Sequence, residues 1–261
     1  GFANFRYTQT STGCISDTTT RVAVTPGPTV SVPDSFLCLG ETTTLVPNPV
    51  TGGTWTSSNS SVATISGAGV VTAVAQGTVT FTFRDNSGCS SQPSAIVTVN
   101  GRPAVGITGS SSICITGTTQ LSPGTGGTWT SSNGAIASVT DAGLVTGVAA
   151  GSATFTFILT STGCVSLPTN AVTVTPAPVV SFSGPTALCV GGTTQVSSGG
   201  AGGVWTSSNP SVASVNPTTG VVTALAPGTA SFTFVETSTG CASTASTGNV
   251  TITHCFNPDF N

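Results

Sequence analysis

The side chains able to carry thiol, metal or acid–base chemistry in this 261-residue sequence are few: eight cysteines, one histidine, seven acids and four arginines. The cysteines are the ones with order. Cys38, Cys114 and Cys189 fall 17, 15 and 16 residues before Trp55, Trp129 and Trp205, and Cys89, Cys164 and Cys241 fall 34, 35 and 36 residues after them. Regularly spaced thiols either bind metal or form disulfides. Zinc takes four thiolate or imidazole ligands, usually in closely spaced pairs. With no Cys-x-x-Cys pair and His254 as the sole histidine, disulfides are expected and no metal or other cofactor is. One pairing rule serves all three copies: Cys38–Cys89, Cys114–Cys164 and Cys189–Cys241. Closing a loop of about 50 residues contributes about 4 kcal/mol in the chain-entropy account. Persistent disulfides imply an extracellular or periplasmic home.

Two cysteines have no such partner. Cys14 stands where Cys89 does in the register, so its partner is expected outside this sequence. A second reading has residues 1–27 completing a neighbouring chain by strand donation. Cys255 follows Cys241 by 14 residues and breaks the register, so it is expected to belong to a following segment. A Cys14–Cys255 bond between molecules is the alternative.

The remaining chemistry is sparse. Counted from the nearest cysteine, Glu41 corresponds to Gly117 and Gly192, and Asp85 to Thr160 and Thr237, so no acid recurs among Asp17, Asp34, Glu41, Asp85, Asp141, Glu236 and Asp259. A carboxylate pair for glycoside hydrolysis is therefore not built once per copy. No Gly-x-Ser-x-Gly turn accompanies His254, which is expected at an exposed strand end. Calcium needs several carboxylates at each joint, and the joints hold none. No catalytic residue is expected and the chain reads as a non-enzyme. The four basic residues, all Arg, cannot neutralise a run of phosphates, which excludes nucleic acid and anionic lipid as partners. About a third of the residues are Ser or Thr, which supply the water-facing groups in place of charge. No apolar run reaches the roughly 18–20 residues that span a bilayer, so no membrane insertion is expected in this segment.

The elements that position the cysteines follow from a threefold repeat. Gly-Gly-Thr-Trp-Thr-Ser-Ser-Asn at 52–59 returns at 126–133, and with Val for Thr at 202–209. A period of about 75 residues describes small separately folded beads. Apolar residues alternate with Thr in Val70-Val71-Thr72-Ala73 and Thr78-Val79-Thr80-Phe81-Thr82-Phe83, the period of a half-buried strand. Gly- and Pro-bearing turns separate such runs, as at Gly67-Ala68-Gly69 and Pro227-Gly228. The fold class is therefore all-β, tandem sandwiches of two antiparallel sheets arranged as an elongated rod on the order of 100 Å long. Each Trp follows a Gly-bearing turn in an alternating strand, so Trp55, Trp129 and Trp205 are read as core residues; exposed Trp stacking on sugars is the rival reading. Pro-bearing joints such as Asn100-Gly101-Arg102-Pro103 set the limits. Residues 1–27 form the last part of a preceding module, 28–102, 103–177 and 178–254 three modules, and 255–261 the start of a following segment. The sequence is thus expected to be a piece of a longer chain.

The run from Trp55 to Thr78, repeated from Trp205 to Thr229 as W-T-S-S-N-x-S-V-A followed by G-V-V-T-A, resembles the bacterial Ig-like group 2 domain. The resemblance implies an Ig-like sandwich of bacterial surface proteins, often tandem and often in adhesins, with no catalytic residues. The flanking Thr-Ser-Thr-Gly-Cys at 10–14, 160–164 and 237–241 is similar to repeats in long secreted adhesins of the Bacteroidetes type. The function so implied is a structural stalk or filament segment of a secreted cell-surface adhesin. A glycan-binding array and the spacer of a secreted enzyme are alternatives. Expected partners are an extracellular surface or glycan, and neighbouring repeats through lateral or head-to-tail association. Asn59 and Asn249 fit an N-glycosylation pattern, and Thr18 resembles an O-glycosylation pattern of such proteins.

Overall fold

A computed structural model of the chain describes residues 1–23, 26–49, 52–199, 202–243 and 248–255. The described residues form strands and turns throughout, with no helix. The chain divides into two compact units, Gly1–Arg102 and Pro103–Asn261.

The second unit holds two complete copies of one sandwich. In the first of them, Gly106–Ile107, Thr118–Ser122, Leu144–Gly147 and Ala137–Val139 lie side by side as one sheet. Opposite lie Gly127–Ser131 paired with Phe155–Leu159, and the trio Ser112–Cys114, Val172–Thr175 and Gly151–Ala153. Every ladder is antiparallel except one: Ser112–Cys114 runs parallel to the copy's last strand, Val172–Thr175. The following copy repeats this order, with Ala187–Cys189 parallel to Val250–Thr253. The first unit holds one complete copy, the first of the three in chain order, in which Phe36–Cys38 runs parallel to Val97–Asn100.

These strands form where the alternation places them. In Phe155–Leu159, Phe155 and Phe157 are fully buried while Thr156 faces outward, and Phe81/Phe83 and Phe232/Phe234 repeat the pattern. Threonine suits the outer positions because its branched Cβ fits the pleat and its hydroxyl meets water. Each buried Phe contributes about 1.5–3 kcal/mol, so the pair anchors a bead too small to be stable by much.

The described part of residues 1–23 reproduces the last third of a copy without its first two thirds. Phe2–Ala3 pairs with Val22–Ala23 as Gly77–Val79 pairs with Val97–Asn100. Phe5 and Tyr7 occupy the places of Phe81 and Phe83, yet are 59% and 70% exposed, because no Trp strand covers them among the described residues.

Candidate functional site: the cysteines and their strand ends

The Gly-Gly-Thr-Trp-Thr-Ser-Ser-Asn motif explains itself in contacts. The second glycine of each copy, Gly53, Gly127 and Gly203, lies so close beneath the ring of Phe83, Phe157 or Phe234 that a Cβ would overlap it and the carbonyl of the next residue. Trp packs on the same ring, with centroids 4.9 Å apart for Trp55–Phe83 and 5.0 Å for both Trp129–Phe157 and Trp205–Phe234. Trp129 and Trp205 are buried, and the Nε1 of Trp129 donates to the Pro123 carbonyl at 2.9 Å. Trp55 is half-buried, and its rim borders a shallow groove with Pro47, Gly67 and Ala68.

The two serines and the asparagine are turn locks. Ser57, Ser131 and Ser207 each donate from Oγ to the carbonyl six residues on, at 2.7 Å. Ser58, Ser132 and Ser208 each accept from the backbone N–H of Thr80, Thr154 and Ser231 at 2.9 Å. Asn59 Oδ1 accepts from the N–H and hydroxyl of Ser61. The serines and the asparagine of the motif are thus engaged in holding one strand crossing, while Thr54 and Thr56 face outward.

The sequence reading missed the segment that follows the late cysteine of each copy, Cys89, Cys164 or Cys241, as distinct from the early one, Cys38, Cys114 or Cys189. Ser91 and Ser94 are buried, accept from Phe83 N–H and Phe81 N–H at 3.0 Å, and return backbone bonds to the same residues. Ser166/Thr169 and Ser243 do the same for their Phe strands, and Ser16 and Thr19 for Tyr7 and Phe5. A Ser two residues after each of Cys14, Cys89, Cys164 and Cys241 was the available signal. It was obscured by the abundance of Ser and Thr everywhere.

The expected disulfides are not the ones formed. Cys114 bonds Cys241, with Cα atoms 5.6 Å apart, and Cys189 bonds Cys255, with Cα atoms 5.3 Å apart. That rules out Cys114–Cys164 and Cys189–Cys241. Cys38 is disulfide-bonded and Cys89 is a free thiol, which rules out Cys38–Cys89. Cys255, expected to await a following segment, is therefore paired within the described chain, and Cys14 is a free, exposed thiol.

Topology supplies the reason. Cys114 ends a strand parallel to the copy's last strand, so it lies at the end by which the chain leaves. The late cysteine follows the turn after the Phe strand, at the other end. In the third copy Glu236 and Thr239 of that turn line one groove with Thr175, Pro176 and Pro178 of the joint, which places the turn where the chain arrives. The two cysteines of one copy sit at opposite ends, beyond the few-ångström Cα separation a disulfide tolerates. Cys114 and Cys241, the early and late cysteines of the two copies of the second unit, meet instead, and Thr175 Oγ1 lies 3.1 Å from the Cys241 sulfur at that meeting. Cys255 follows the last strand and occupies the early cysteine of the third copy.

The register of the acids also needs correction. Strand pairing sets Asp85 opposite Gly53, Leu159 opposite Gly127 and Glu236 opposite Gly203, so Asp85 corresponds to Glu236 and not to Thr237. The turn before the late cysteine is one residue shorter in the first copy, and counting back from the cysteine slipped by one. An acid thus recurs in two copies, and each serves its own turn. Asp85 Oδ1 accepts from Ser87 Oγ at 2.6 Å and from Cys89 N–H at 2.9 Å, and the Ser87 hydroxyl foremost holds this carboxyl below its ordinary range. Glu236 Oε2 accepts from Thr239 Oγ1 at 2.6 Å. Glu41 Oε2 accepts from Cys38 N–H at 2.9 Å, and Asp34 Oδ2 from Thr43 Oγ1 at 3.2 Å.

His254 is exposed beyond the last strand, and the described residues contain no group of three or more potential metal ligands. Asn59, Asn249 and Thr18 are all exposed, with the Thr18 hydroxyl accepting from Arg6 Nε at 2.8 Å. Asp259 lies outside the described residues.

Sandwiches of this topology, repeated in tandem with the Trp on its Phe and a disulfide between successive copies, define an array of Ig-like domains. The family model described as Bacterial Ig-like domain (group 2) matches residues 18–99, 108–165 and 168–246, and the chain belongs to that family. No curated protein matches it by sequence. Among solved structures it is similar to invasin, a bacterial integrin-binding protein, at 15% identity over 93% of this chain and 63% of that one, with a TM-score of 0.36. It is similar to a fragment of intimin solved with the intimin-binding domain of its receptor, at 14% identity over 67% of this chain and 57% of that one, with a TM-score of 0.32. The S-layer protein SbsC is similar at 14% identity over 89% of this chain, with a TM-score of 0.28. The chain spans 41% of the SbsC chain and 57% of the intimin fragment, so it answers to part of either. These likenesses are of fold.

Proposed function

We propose that this chain is a non-enzymatic stalk or filament segment of a secreted, cell-surface adhesin of the Bacteroidetes type. One observation carries the reading: the bond Cys114–Cys241 joins successive sandwiches across their joint. A bond inside a bead would protect that bead alone. A bond across the joint makes the connection itself covalent twice over, which suits a part that transmits tension. The serines and the asparagine of the repeated motif are spent on strand crossings, so recognition of an extracellular surface or glycan falls to positions that differ between copies. Module limits at 28–102, 103–177 and 178–254 and glycans on Asn59, Asn249 or Thr18 belong to the same reading.

Pulling the oxidised chain between attachment points at Pro103 and His254, so that the other bonded cysteines offer no shorter covalent path, tests it. Force then passes through Cys114–Cys241, and the 127 residues between them stay hidden. At about 3.5 Å per residue this withholds about 440 Å of extension. Adding a reductant should release that length. Full extension without reductant would mean that the joint is not stapled and would remove the mechanical argument.

A further inference from the structure

We infer that Cys89 and the open edge of strand Val22–Ala23 together form an acceptor for the cysteine-bearing early strand of another repeat of this kind. The strand adds parallel to Val22–Ala23, and its cysteine bonds Cys89.

Two independent observations meet here. The first concerns the thiol. Cys89 holds the place that Cys164 and Cys241 hold in the later copies, where both are disulfide-bonded and fully buried. Cys241 is bonded to the early-strand cysteine of the copy before it. Cys89 follows a turn one residue shorter and has the same serine lock behind it, yet is a half-buried free thiol. Every early-strand cysteine of this chain, Cys38, Cys114 and Cys189, is already bonded, so none is left for it.

The second concerns the strand edge. Val22–Ala23 is the last strand of its copy and pairs on one side with Phe2–Ala3. In the three complete copies the other side carries the parallel strand Phe36–Cys38, Ser112–Cys114 or Ala187–Cys189. Among the described residues nothing carries it for Val22–Ala23, and Val22 is 46% exposed. An unpaired edge of this kind accepts a strand through its main-chain groups. By the register of the other copies, the residue two before the incoming cysteine would lie opposite Ala23, as Phe36 lies opposite Thr98. The chain leaving this strand passes the Cys89 turn, since Gly27 lies against the carbonyl of Ser90 at 2.8 Å from its Cβ position. Edge and thiol therefore serve one incoming strand.

The bond needs an oxidant, and a small-molecule disulfide such as oxidised glutathione supplies it. The Cys89 thiolate attacks that disulfide and releases one thiol. The thiolate of the incoming strand then displaces the second, so two thiols are oxidised and one disulfide is reduced.

The test uses the whole oxidised chain in a glutathione buffer with a synthetic peptide having the sequence of residues 33–42, which contains the early strand and Cys38. A peptide of the same composition in scrambled order, its cysteine retained, is the control. Non-reducing peptide mapping should find the native-sequence peptide on Cys89, at least about tenfold over the scrambled one, because strand pairing raises the local thiol concentration. Hydrogen exchange of the Val22–Ala23 segment should slow in the adduct. C89S should lose the adduct and C14S should keep it. Equal coupling of the scrambled peptide, preference for Cys14, a Cys14–Cys89 bond, or an adduct without protection of Val22–Ala23 would each overturn the proposal.

Discussion

Replacing Cys241 by Ser removes half of the bond to Cys114 while leaving a hydroxyl that can still meet Thr175 Oγ1, now 3.1 Å from the sulfur. The side chain is fully buried but its local hydrogen bonding survives, so the cost falls on the staple. A loop of 127 residues is worth about 5 kcal/mol in the chain-entropy account. The remaining bond from Cys189 to Cys255 closes residues shared with the lost loop, which lowers the expected loss into the range of about 2–5 kcal/mol. Denaturant unfolding followed by Trp fluorescence measures it, since Trp129 and Trp205 are the buried reporters of the two copies that the bond joins. Alkylation under denaturing, non-reducing conditions supplies the decisive count. In C241S the labelled thiols should be Cys14, Cys89 and Cys114. Label on Cys189 in place of Cys114 would restore the one-bond-per-copy rule and refute the topological argument. A stability loss below about 1 kcal/mol with the expected label would refute the entropic one.

Gly127→Ala drives a Cβ into the Phe157 ring and the Ile158 carbonyl, and should lower stability by about 1–3 kcal/mol or more in chemical denaturation, whereas Gly134→Ala, where the added atom meets nothing, should not. The hydroxyls of Thr119 and Thr194 are buried without a hydrogen-bond partner, so Thr119→Val should leave the unfolding midpoint unchanged or raise it, with a gain of up to about 1 kcal/mol. The Asp85 carboxyl lies below its unfolded value of 3.8, so the support it gives the Cys89 turn is present above pH 4 and is lost as pH falls through the folded value. Amide exchange at Cys89, corrected for intrinsic rates, should therefore accelerate in acid, and Asp85→Asn should remove that dependence.

The reach of the sequence differs from element to element. Alternation of Phe with Thr announced the strand Phe81–Asp85 and its inward faces, because a strand's period is a property of the backbone alone. The Trp as core residues followed from the turn before them, although Trp55 is only half-buried where Trp129 and Trp205 are closed. The serine locks behind the late cysteines stayed hidden, since a Ser that accepts from Phe83 N–H looks like any other Ser in a chain a third Ser and Thr.

The sequence by itself determined the threefold repeat, the strand pattern, the family and the fact that cysteines recur at two fixed places per copy. It could not determine which of those places bond. A spacing that repeats every 75 residues or so fits a pairing within each copy and a pairing between successive copies equally well. Only the parallel placement of Ser112–Cys114 against Val172–Thr175 decided it, because that carries Cys114 to the far end of its sandwich, away from Cys164 and against Cys241. Direction along a strand is a tertiary fact. It turned an expected staple within a bead into one that joins two successive beads.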